Sequence, residues 1–106
     1  MHVTATGICG SEIHFWKTGR IGDCCVDHDL ILGHESGGRV LQVGENVKSF
    51  KVGDRVSIEP GVACLECKTC VSGRYNLCQS VAFSGTPPSH GTMARYVSHP
   101  AKFLHK

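Results

Sequence analysis

Long apolar runs are missing from this sequence, and so are blocks of like charge, repeats and low-complexity tracts. Without about 20 consecutive apolar residues no segment reads as a transmembrane helix. The N-terminus lacks the charged-then-apolar layout of a secretory signal. Lys and Arg are scattered and the formal net charge is only +2, so no surface is expected to track a nucleic-acid backbone or a membrane. Aromatics are scarce at 7%. A G-x-G-x-x-G fingerprint after a strand is also missing, because Gly33-His34-Glu35-Ser36-Gly37-Gly38 has the wrong spacing and a charged pair inside it. No dinucleotide site is expected within these 106 residues.

What remains is ordinary globular composition, 41% hydrophobic and 19% charged, in a length that suits one modest core. Short stretches broken by Gly and Pro, with little helical periodicity, predict a mainly β barrel or sandwich. Strands are expected over His2–Thr6, Gly38–Val43 (Val40, Leu41 and Val43 as core candidates), Arg55–Glu59 and Met93–Val97. Ser11 is placed to cap a helical turn running to Trp16, and residues 18–23 read as a loop.

Cysteine is the abundant exception. Seven is an odd count, and four of them form C-x2-C-x2-C-x7-C at Cys64, Cys67, Cys70 and Cys78. Tight loops can turn three such sulfurs inward while the fourth closes a tetrahedron, the pattern of a closed structural zinc site. A disulfide pair, a redox C-x-x-C and free buried thiols are the alternatives. Lys68 and Arg74 are positioned by sequence to offset the charge of four thiolates. The lobe, about residues 61–80, has too few large aliphatics to build its own core.

An open site must be sought elsewhere, since four protein ligands leave no position for substrate. Cys9 and His34-Glu35 are the candidates, flanked by Gly7, Gly10 and Gly33. Taken alone, a Cys or a His is more often a packing residue. A zincin is excluded, because H-E-x-x-H would need a second His where Gly38 stands. Cys24 and Cys25 match no motif and read as loop or packing thiols.

Gly33-His34-Glu35-x-x-Gly38, then Gly44 and Val47, together with Cys9-Gly10-Ser11-Glu12-x-His14 upstream and the four-cysteine lobe downstream, resembles the zinc-containing medium-chain alcohol and polyol dehydrogenase family. The resemblance runs from Val3 to about His105 and is similar to the polyol branch, which includes sorbitol, xylitol and L-arabinitol dehydrogenases of fungal type. It implies a GroES-like irregular β-barrel with a zinc lobe over residues 1–106, the Rossmann domain lying outside the sequence. It implies Cys9, His34 and Glu35 at a catalytic zinc, and Ser11 and His14 as a proton relay. Bland roles for the last two are a helix cap and an exposed loop residue. Glu12 stands where the family usually has Asp, a partner that orients a ligand. Phe83 and Trp16 are candidates to line the polyol pocket, although core packing is the commoner role for an aromatic.

The same resemblance implies oxidation of a polyol to a ketose by Lewis-acid activation, with hydride passing to NAD bound on the absent domain. It further implies a cytoplasmic homo-oligomer, a tetramer, with the isolated chain inactive. The third zinc ligand of the polyol branch, a Glu, falls outside the sequence. Glu59 and His90 are the substitutes within it, neither at the family position. The alternative is a free-standing GroES-like zinc module, or an inactive truncated product, with a structural or binding role.

Overall fold

The computed structural model describes residues 1–106. Strand β1 (His2–Thr6) leads to helix α1 (Gly10–Thr18), then to a hairpin of β2 (Arg20–Ile21) and β3 (Cys24–Cys25). Strands β4 (Ser36–Arg39) and β5 (Arg55–Ile58) follow, then β6 (Gly61–Val62), helix α2 (Lys68–Val71), a 3-10 turn at Tyr75–Leu77 and β7 (Ala82–Phe83). A second 3-10 turn at Ala101–Phe103 leads into β8 (Leu104–His105). The main sheet has the order β1-β4-β5-β8, and β2-β3 and β6-β7 form two small sheets. Every pairing is antiparallel, so the chain contains no βαβ unit. No helix is long and apolar enough to cross a membrane.

β1 falls where alternation places it, and β5 alternates as expected, with Val56 and Ile58 buried and Arg55 and Ser57 exposed. Three expectations are corrected. The middle strand is Ser36–Arg39 rather than Gly38–Val43, because pairing to β1 and β5 on both sides overrides the poor β propensity of Gly37-Gly38. Val40 remains buried beyond its end through bonds with Gly53 and Asp54, whereas Leu41 is 49% exposed. Met93–Val97 is not a strand. It joins the outer edge of β1 by Val3 N–H to Arg95 O and Val97 N–H to Met1 O, with a single bridge at His2 and Tyr96, and β8 takes the far edge. Residues 18–23 are no plain loop, since Gly22-Asp23 turns the β2-β3 hairpin.

Packing is thin. The Cα radius of gyration is 14.4 Å and the extents are 41 × 35 × 20 Å, against about 13 Å for a compact domain of this length. Only 15 of 106 residues are buried, so each buried aliphatic on β5 carries a large share of the stability. We expect Ile58→Ala to lower the unfolding free energy by about 2–5 kcal/mol, and Ser57→Ala to stay within about 0.5 kcal/mol. Urea unfolding of the zinc-loaded chain measures both, and equal effects would contradict the alternation.

Candidate metal centres

The closed cluster sits where β6 hands the chain to α2. Cys64 and Cys67 lie on the approach, Cys70 within the helix and Cys78 after the Tyr75–Leu77 turn. Sγ separations are 3.8 Å for Cys64–Cys70, 3.4 Å for Cys67–Cys70, 3.9 Å for Cys67–Cys78 and 3.6 Å for Cys64–Cys78. A tetrahedral zinc with Zn–S bonds of about 2.3 Å sets S···S separations of about 3.8 Å, so the donor set fits zinc. Disulfides do not fit, since all seven cysteines are free.

Polar donors already favour charge on these sulfurs. The Thr69 hydroxyl, 3.1 Å away, and the Cys70 backbone N–H bring the Cys67 thiol down to about 6. Burial, followed by its bond with Cys67, pushes Cys70 up to about 12. The backbone N–H of Cys64 lowers Cys78. The proposed charge partners play no visible part: Lys68 is exposed, and Arg74 donates from Nε to the exposed Ser72 hydroxyl. Cys70 and Cys78 pack with Ala63 and Phe103, so the sulfurs form the lobe's core together with a side chain from outside it.

The second cluster joins two separate segments. Cys9, His34 and Glu35 bring a thiol, an imidazole nitrogen and a carboxylate oxygen within 4.8 Å of one another. That spacing is close to what one ion with bonds of about 2.0–2.3 Å spans. Cys9 occupies the N-cap of α1, with Ser11 in the first helical turn, so the expected Ser11 cap is corrected. Glu12 supplies the missing acceptor: its carboxylate takes the Cys9 N–H at 2.6 Å and lies 2.7 Å from His34 Nδ1, while only 5% exposed. One buried carboxylate thus caps the helix carrying the thiol and fixes the imidazole, leaving Nε2 for a metal.

Glycines shape this loop at two positions. Gly33 has φ +96°, and a Cβ there would meet Met93. A Cβ on Gly7 would collide with the Glu35 carboxylate, and Gly7 N–H bonds Glu35 O at 2.8 Å. Gly10 has open space around it, so no neighbouring atom requires a glycine there. The Phe83 ring lies 5.4 Å from the His34 ring at the site's rim, whereas Trp16 is 77% exposed on α1 and belongs to no core.

Other candidates stay apart. Ser11 is half-buried and His14 exposed, and no hydrogen bond joins them. Glu59 holds His105 Nε2 at 3.0 Å, and His90 Nδ1 accepts the Ile31 N–H, so neither substitutes as third ligand. Cys24 is half-buried and Cys25 exposed in β3. A cavity of about 550 Å³, lined by residues including Val40, Phe50, Tyr96 and Leu104, contains none of the metal donors. A feature with no linear signature is a hydroxyl chain beside the open cluster, Thr6–Ser36–Thr92.

Fold and clusters together define a β domain with two groups of donors spaced as a metal site requires, one of four cysteines and one of Cys9, His34 and Glu35. The chain belongs to the alcohol dehydrogenase GroES-like domain family, whose model matches residues 1–106. It is 60% identical over 104 residues to an L-arabinitol 4-dehydrogenase of Aureobasidium melanogenum, covering 98% of this chain and 28% of that protein. It is 51% identical over 106 residues to a protein named "Probable D-xylulose reductase A" from Aspergillus clavatus, covering 100% and 30%. Among solved structures, an NAD-dependent alcohol dehydrogenase superposes with a TM-score of 0.83 at 32% identity, covering 98% of this chain and 29% of that one. The chain therefore spans less than a third of the relatives it matches.

Because Glu12 touches both ends of the open cluster, Glu12→Ala is expected to weaken zinc there about 10- to 100-fold and to leave the four-cysteine site unchanged. Glu12→Asp, one methylene shorter, is expected to lose one of the two bonds and fall between. Competition with a chromogenic chelator reads both sites, and an unchanged weaker site in Glu12→Ala would refute the role.

Proposed function

We propose that this chain is the substrate-side, zinc-binding domain of an oxidoreductase that oxidises a polyol of the L-arabinitol, xylitol or sorbitol type to a ketose, with NAD accepting the hydride on a separate domain. The carrying observation is the convergence of Cys9, His34 and Glu35, held by Glu12, in a chain 60% identical to an L-arabinitol 4-dehydrogenase over this domain. Cys9 and His34 would hold the ion, with Glu35 beside it. When bound, zinc supplies the Lewis acidity that makes an alcohol oxygen easier to deprotonate.

The chain's own residues do the rest. Glu12 keeps the His34 ring in one tautomer and orientation. Ser11, half-buried beside Glu12, and His14, three residues on and exposed, lie on one helix with rising solvent contact, which suits them to carry the alcohol proton outward. Phe83 covers the rim at His34 and limits water there. Seven free cysteines suit a reducing cytoplasm, and we read the longer protein as a homo-oligomer, a tetramer, as the resemblance implies.

Metal analysis separates this reading from a domain with a structural zinc alone. We expect two zinc ions per chain, with His34→Ala and Cys67→Ser each losing a different one. A single zinc that survives His34→Ala would leave only the closed site and favour a structural or binding module.

A further inference from the structure

We infer that Thr92 is a positioning residue for the open metal site, acting through Ser36 on the His34-Glu35 pair. The inference rests on the reading of Cys9, His34 and Glu35 as ligands. Thr92 is the most buried large side chain in the molecule, at 1% exposure, and nothing in the proposed chemistry uses it. It grips the chain on both sides of the ligand pair. Its N–H donates to Gly33 O at 2.9 Å, one residue before His34. Its hydroxyl lies 2.5 Å from Ser36 Oγ, one residue after Glu35.

Three further contacts complete the grip. Ser36 Oγ is 2.7 Å from Thr6 Oγ1, across the register pair that closes β1 on β4. Gly91 N–H and Met93 N–H bond Ile31 O and Leu32 O, so residues 91–93 line the approach to His34. With Gly7 N–H on Glu35 O, the ligand pair has its backbone fixed before, within and after.

Hydroxyl protons give the chain a direction. Three hydroxyls carry three protons and make two mutual bonds, so one proton must leave the set. Thr92 and Ser36, at 1% and 5% exposure, have no water to donate to, whereas Thr6 is half-buried. The chain therefore runs Thr92 to Ser36 to Thr6, and outward. Thr92 is its source, so valine at this position removes the donor and leaves Ser36 an unfilled acceptor, while the backbone bond to Gly33 stays. Serine preserves the donor.

The test is zinc release from the purified chain into a chromogenic chelator, for wild type, Thr92→Val and Thr92→Ser, with the four-cysteine site as internal control of folding. In Thr92→Val the weaker site is expected to lose about 10- to 100-fold in affinity, with the lobe unchanged. Thr92→Ser should remain within about threefold of wild type, as expected when the donor is kept. A purely structural hydroxyl would lower the unfolding midpoint and leave the ratio of the two affinities as in wild type, which overturns the inference alone. Wild type with one zinc, in the lobe, overturns the open-site reading and this inference with it.

Discussion

Four sulfurs held 3.4–3.9 Å apart can stay together as thiolates only around a cation. That constraint governs more of the structure than the lobe itself. The apolar contacts of the lobe are its own sulfurs, Val62, Ala63 and Phe103, and Phe103 belongs to the turn that feeds β8. Phe103 O also accepts the N–H of Glu59 at the end of β5. A metal in the lobe thus sets the surface on which the last strand of the main sheet docks. In a molecule with few buried residues, the ion replaces the hydrocarbon core that the local sequence cannot supply.

The open cluster follows a different rule. Its donors come from a helix N-cap and a glycine-flanked loop, and contacts with neighbouring protein groups hold them together. Glu12 is the joint: a buried carboxylate with a backbone N–H on one oxygen and an imidazole nitrogen against the other. A buried charge is tolerated when its acceptor positions are filled, and here the partners that fill them carry or precede ligands. The arrangement gathers the Cys9 thiol and the Glu12 and Glu35 carboxyl groups in one place, a donor set that suits a divalent cation and that an apolar pocket would not offer.

Spacing made the closed cluster legible, because C-x2-C-x2-C-x7-C is local and its ligands need only short loops to meet. Strand β5 was legible for a similar reason, as Val56 and Ile58 alternate with exposed neighbours. Cys9 with His34-Glu35 became readable only through the wider family pattern, since the segments are 25 residues apart and either residue type alone is usually packing. The misplacements share one cause: Ser36–Arg39 is a strand because its neighbours on both sides demand it, and Met93–Val97 is not one because it meets only the irregular edge of β1. Ser11 lost the cap to Cys9 because Glu12, three residues after Cys9, reaches back to accept the Cys9 N–H. The Thr6, Ser36 and Thr92 hydroxyls lie 30 and 56 residues apart, and no linear pattern announces them.

The two clusters hang from neighbouring strands of one sheet, and this explains how so thin a fold can hold an open site. Gly37 and Gly38 of β4 pair with Ser57 and Val56 of β5. The open cluster sits where β1 and β4 converge on Gly7 and Glu35, and the closed cluster follows β5 and returns through β8. An open metal site gains reactivity from a vacant coordination position, and so cannot rely on the ion to hold its ligands. It needs a scaffold already rigid. The lobe supplies that rigidity at the far end of the sheet, by anchoring β8 and hence β5, against which β4 presents His34 and Glu35. On this view the closed cluster bears on the open one without touching it, through the alignment of the strand that follows His34 and Glu35.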